Sequence, residues 1–114
     1  MNYPVKDKLR SVAQSLPDGV RLVAISKYHP ADYVMAAYEE GQRVFGESHE
    51  QELSRKVPLL PSDIEWHFIG HLQTNKVKYI VPYIAMIEAV DSLRLLREIE
   101  KQASRHNRVV KVLL

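Results

Sequence analysis

The amino-acid sequence predicts an α/β chain in which parallel strands alternate with helices. Three observations lead there. Short apolar runs rich in β-branched or aromatic residues, such as 20–27 and 64–70, read as strands of a parallel sheet. Between them lie segments with apolar residues at helical spacing and a charged opposite face. The two kinds of segment change places about every 20–30 residues, as right-handed βαβ units require.

Each element has its own signal. Leu9, Val12, Ala13 and Leu16 share one side of a helix over 6–16, and Pro17-Asp18-Gly19 stops it, so 1–19 form a leading helix and turn. A strand over 20–27 follows, bounded by Gly19 and Pro30. Pro30 suits a helix start, and Val34, Ala37 and Tyr38 recur at helical intervals before Gly41. Residues 43–47 form a brief second strand, after which Ser48 is expected to cap a helix running toward Pro58. The third strand, 64–70, is aromatic and β-branched, and 74–83 reads as a short basic helix interrupted by Pro82. A fourth strand covers 84–90. Asp91 or Ser92 caps a helix over 93–106, with Leu93, Leu96, Ile99 and Ala103 on one side. Residues 108–114 open a fifth strand.

Bulk composition narrows the function classes. The 114 residues, 46% hydrophobic and 26% charged, suit one ordinary globular domain at most. Sixteen basic against fourteen acidic residues leave a net charge of +2, too small and scattered for nucleic acid or an anionic membrane to be the principal partner. No cysteine is present, which excludes disulfides, thiolate metal sites and thiol catalysis. The N-terminal residues lack an apolar signal-peptide core, and no window has the apolar length of a bilayer span, so a cytoplasmic location is expected.

Two architectures fit the alternation: an open doubly wound sheet, or part of a (β/α)8 barrel. A whole barrel takes about 250 residues, so this chain would hold its first half. An apolar strand at the last residue leaves an unpaired edge, which favours self-association or completion by further sequence, and a fragment is expected.

The chemistry centres on Lys27. Alternation along a strand puts Val23, Ile25 and Lys27 on one face and Leu22, Ala24 and Ser26 on the other, so Lys27 closes an apolar row. An amine that loses hydration there is more often neutral, the form that attacks an aldehyde, which makes Lys27 a candidate Schiff-base lysine for a carbonyl cofactor such as pyridoxal phosphate (PLP). The alternative is a lysine at a strand end with its stem packed and its head in water.

Three motifs stand in fixed order: Leu22-Val23-Ala24-Ile25-Ser26-Lys27 with Pro30 after it, Phe45-Gly46-Glu47 before a helix, and Trp66-His67-Phe68-Ile69-Gly70-His71-Leu72-Gln73-Thr74-Asn75-Lys76. Together they closely resemble the PLP homeostasis protein family (YggS/PROSC type), whose fold is similar to the N-terminal barrel of alanine racemase. The resemblance covers almost the whole chain but only about the first half of the family's domain. It therefore implies the first half of a TIM-type (β/α)8 barrel, with 1–114 a single partial domain, and PLP held as a Schiff base on Lys27. It also implies a cofactor carrier and regulator of free PLP rather than an enzyme, with amino acids and PLP-dependent apo-enzymes as further partners. Where the family usually has asparagine then tyrosine after Phe-Gly-Glu, this chain has Ser48 and His49. Serine cannot match an amide's reach. The family's phosphate-binding segment belongs to the second half.

Four residues are expected at the cofactor: Lys27, Ser48, His67 beside the pyridine ring, and Gly70, whose turn lets backbone N–H groups approach the ligand. For His67 the competing reading is a buried histidine bonded to backbone, and for Gly70 an ordinary strand-to-helix turn. His67 and His71 are four apart, but the strand and Gly70 between them break helical metal geometry, so no metal is expected. His49-Glu50-Gln51-Glu52 reads as a solvated helix start, and Arg105, Arg108 and Lys111 as a solvated end. Two other functions stay open: a racemase-like PLP enzyme, which needs a second proton-transfer group opposite Lys27, and a half-barrel that binds little and associates through its open edge.

Overall fold

Five short strands pair in parallel in the order in which the chain makes them: β1 (Ala24–Ile25), β2 (Val44–Glu47), β3 (Glu65–Phe68), β4 (Ile84–Ile87) and β5 (Lys111–Val112). This is a computed structural model describing residues 4–114, so the first three residues of the expected leading segment lie outside the described residues. A doubly wound sheet reverses its strand order at a switch point. The unbroken sequential order seen here is that of the first half of a (β/α)8 barrel.

Helices α1 (Val5–Ser15), α2 (Ala31–Glu39), α3 (Glu50–Lys56), α4 (Val77–Ile80) and α5 (Leu93–Arg105) connect or precede the strands. Their apolar sides meet one face of the sheet. Phe45, Trp66, Phe68, Ile84 and Ile87 from the strands pack there with Val34, Leu53, Val77, Ile80, Leu95 and Ile99 from the helices. Phe45 and Trp66 meet at 5.9 Å between ring centroids, tilted by 45°. Ser92 rather than Asp91 caps α5, its Oγ accepting the Leu95 N–H at 3.1 Å.

The register aligns Ile25, Gly46, His67, Met86 and Lys111 across the sheet, one from each strand. On β4 the pairing shifts between Trp66 and His67, leaving Ala85 as the extra residue of a bulge. Ile84 and Ile87, three apart, are both fully buried as a result.

Several sequence expectations change. Lys27 lies beyond β1, in a turn, and the row it was expected to close is not covered: Ile25 is 48% exposed whereas Ser26 on the opposite face is fully buried. The reason is curvature. Helices cover the outer face of a half-barrel, and the inner face has no opposing strands within this chain. Helix α3 begins at Glu50 with His49 at its N-cap position, so Ser48 sits in the preceding loop rather than capping the helix. The basic segment divides into a 3-10 turn (Thr74–Lys76) and the single turn of α4. Arg108 is no solvated residue: its Nη1 donates to the carbonyls of Val81 and Ile84, fastening the start of β5 to β4. Among the described residues, no helix is long and apolar enough to cross a membrane.

Candidate functional site

Lys27 occupies a four-residue turn at the carboxyl end of β1, closed by the His29 N–H donating to the Ser26 carbonyl at 3.0 Å. Its side chain is half-buried, and among the described residues its amine has no hydrogen-bond or ion-pair partner. Tyr28, next in the turn, has φ 67, the left-handed region that L residues rarely enter. Three contacts surround that conformation. The Tyr28 N–H donates to Glu52 Oε2 at 2.7 Å, its phenol meets His49 Nε2 at 2.8 Å, and the two rings lie 5.3 Å apart.

Under the turn lies a buried ionic group. Glu47, the last residue of β2, is fully buried and takes a short hydrogen bond from the Ser26 hydroxyl. Lys56 at the end of α3 is 6% exposed and donates to Glu47 Oε2 at 2.8 Å, Glu52 Oε2 at 2.8 Å and the Ser26 carbonyl at 2.9 Å. Its three ammonium protons are thereby matched. None of Glu47, Glu52 and Lys56 was expected at the site, and Glu52 is no part of a solvated helix start. The one sequence signal was the i,i+4 spacing of Glu52 and Lys56, which also describes countless exposed pairs.

Burial pushes the Glu52 carboxyl up, but the hydrogen bonds from Lys56 and the Tyr28 N–H, with the charges of Lys56 and His49, outweigh it and hold the group below its ordinary value of 4.5. Glu65 behaves alike: burial raises it, and hydrogen bonds from His67 and Arg21 bring it below 4.5. A carboxyl lowered on folding adds stability above its unfolded pKa and loses it as pH falls through the folded pKa. Urea midpoints are therefore expected to stay level above about pH 5 and to fall as acid is added below that. A midpoint that rises on acidification would contradict both assignments.

Ser48 and Gly70 are brought together. A Cβ on Gly70 would lie 2.8 Å from the Ser48 carbonyl oxygen, so the loops after β2 and β3 touch backbone to backbone. The Ile69 N–H donating to the Glu47 carbonyl at 2.8 Å continues the strand pairing up to that contact. Beside it opens a cleft of about 300 Å³ lined by Ser48, His49, His71, Gln73 and Lys76 among others; Lys27 is not one of its walls.

His67 stands apart from this rim. It is level with Ile25, the last residue of β1, two residues before Lys27. Its ring neighbours are carboxylates rather than backbone: Nε2 is 3.2 Å from Glu65 and Nδ1 3.7 Å from Glu88, and Arg21 reaches Glu65 at 3.3 Å. On the inner face, Ile69 occupies the position two residues on.

A half-barrel whose loops after β2 and β3 meet at the carboxyl ends of its strands defines a (β/α)8-barrel type of scaffold. No family model matches the chain. Over 90 residues it is 48% identical to a pyridoxal phosphate homeostasis protein of Schizosaccharomyces pombe, covering 75% of this chain and 38% of that protein. It is 41% identical over 95 residues to the protein of the same name from Aquifex aeolicus, covering 82% and 42%. Among solved structures, PipY of Synechococcus elongatus with PLP bound superposes with a TM-score of 0.90 at 38% identity, covering 96% of this chain and 53% of that one. Over most of its own length the chain closely resembles the pyridoxal phosphate homeostasis protein family. It spans about half the length, or less, of the relatives it matches.

Proposed function

We propose that the chain is a partial domain, residues 1–114, of a PLP-binding protein that acts in PLP homeostasis in the cytoplasm, with Lys27 as the residue that holds the cofactor. The observation that carries this reading is Lys27, half-buried, its amine without a partner among the described residues, in a turn whose flanking residues are both held. PLP supplies an aldehyde and an electron-withdrawing ring. Bound there, PLP would present that aldehyde to Lys27 Nζ, the residue that would hold it as a Schiff base with loss of water.

The residues present fit that end of the cofactor. The packed loops at Ser48 and Gly70 form the rim on which the ring would rest, Ser48 offering a hydroxyl and the Gly70 turn a close backbone approach. His67, held between Glu65 and Glu88, lies on the inner face below this rim, where it would stand beside the pyridine ring. Lys76, His71 and His49 line the adjoining cleft and offer cationic or polar groups for an anionic substituent. Carrier action, with amino acids or apo-enzymes taking the cofactor, fits better than racemisation. The phenol of Tyr28, beside Lys27 in sequence, is engaged by His49 at 2.8 Å.

The test is capture. PLP added to the chain should give a visible absorption band, and borohydride followed by peptide mass spectrometry should place the adduct on Lys27, with Lys27→Ala abolishing it. An adduct spread over surface lysines would overturn the assignment.

A second reading, association through the open edge, is favoured by Val109 at 90%, Leu113 at 48% and Leu114 at 91% exposed around β5. Size-exclusion chromatography should then show dimers or larger species that dissociate on dilution; a monomer at every concentration would remove this reading.

A further inference from the structure

We propose that Glu47, Glu52 and Lys56 form a clamp that fixes the turn carrying Lys27, which makes them positioning residues for its amine. The inference rests on the reading of Lys27 as the cofactor-holding residue and adds what holds that residue in place. Both neighbours of Lys27 are fastened by this group. Ser26 gives its carbonyl to Lys56 at 2.9 Å and its hydroxyl to Glu47, while its N–H donates to the Gly46 carbonyl at 3.0 Å. Tyr28 gives its N–H to Glu52 at 2.7 Å. Lys27 itself is touched by none of these charges, so the clamp acts on backbone and leaves the amine open.

The chemistry of the group points the same way. Burying an acid and an ammonium costs hydration that their attraction only partly returns, and an apolar pair of similar size often stabilises a fold as well. What an apolar pair cannot do is bond the Ser26 carbonyl and, through Glu52, the Tyr28 N–H. Glu52 Oε2 is the pivot, since it takes hydrogen bonds from both Tyr28 and Lys56. The left-handed φ of Tyr28 is a conformation that persists only where its surroundings hold it. Losing the pivot should let the turn relax and Lys27 swing away from its present direction.

The test compares Glu52→Ala and Glu52→Gln with the parent chain, using circular dichroism to confirm that each is folded. Hydrogen exchange of the Tyr28 amide reports the turn, and acetylation of Lys27 relative to the exposed Lys78, read by mass spectrometry, reports the amine. Glu52→Ala should speed Tyr28 exchange about tenfold and change the Lys27 to Lys78 labelling ratio severalfold. Glu52→Gln keeps an acceptor for the Tyr28 N–H and weakens the tie to Lys56. It should give an intermediate change, and it carries the test alone if the alanine variant unfolds. A folded variant with the parent's exchange rate and labelling ratio would overturn the clamp. Neither measurement uses PLP: if PLP fails to capture Lys27 while exchange and labelling shift as expected, the cofactor reading falls and the clamp stands.

Discussion

Replacing Lys56 with methionine is expected to destabilise the fold by about 3–5 kcal/mol, the cost of leaving one partner of a buried ion pair alone. Methionine matches the length of the lysine stem, so little packing is lost. The loss is electrostatic. Glu47 is fully exchanged from water into the interior, its Oε1 has no hydrogen-bond partner among the described residues, and Oε2 would keep only the Ser26 hydroxyl. The Ser26 carbonyl would lose its bond from Lys56 at the same time. Adding Glu47→Gln to Lys56→Met removes the stranded charge, so the double variant should be more stable than Lys56→Met alone. Urea unfolding of the four proteins at neutral pH gives the coupling between the two residues. A Lys56→Met variant within about 1 kcal/mol of the parent would show that Glu47 is not the stranded charge described here.

This buried group marks where the sequence stops being readable. Strand and helix positions were legible because burial imposes a period, as at Ile99, which packs on the sheet as expected; the same period placed Leu93 on that side, but Leu93 is exposed and Leu95 is buried in its place. Lys27 stood out in the sequence as the close of an apolar run, although the structure places it in the turn beyond β1. Its surroundings were not legible. Alternation put Ile25 and Lys27 on one face, but β1 ends at Ile25, and the pattern could not say that the face at Ile25 is open, because openness depends on how much of the barrel the chain contains. The partners of Lys56 depend on the juxtaposition of β2, α3 and the turn after β1, up to 30 residues apart in sequence, and no local pattern encodes it. Ser48 was misassigned as a cap because its residue type suits one; contact with Gly70 holds it in the loop instead.

That contact makes Gly70→Ala the other substitution with a large expected effect, about 1–3 kcal/mol of lost stability, the range for overpacking. The added methyl would sit 2.8 Å from the Ser48 carbonyl oxygen, 2.9 Å from its Cβ and 3.1 Å from its Cα. Two of those three atoms are backbone and cannot swing aside as a side-chain tip can, so one of the two loops must move as a whole. Gly46 provides the control. There a new Cβ would meet Cδ1 and Cγ2 of Ile69 at 3.1 and 3.3 Å and Cδ1 of Ile25 at 3.3 Å, side-chain atoms rather than backbone. Gly46→Ala is therefore expected to cost less, under about 1 kcal/mol. If the loops after β2 and β3 form the rim for the cofactor, Gly70→Ala should also weaken PLP capture at Lys27 more than Gly46→Ala does. Urea midpoints and borohydride-trapped adduct yields measure the two effects separately. Equal stability of the parent and Gly70→Ala, with Gly46→Ala the weaker protein, would mean that the loops do not meet at Ser48.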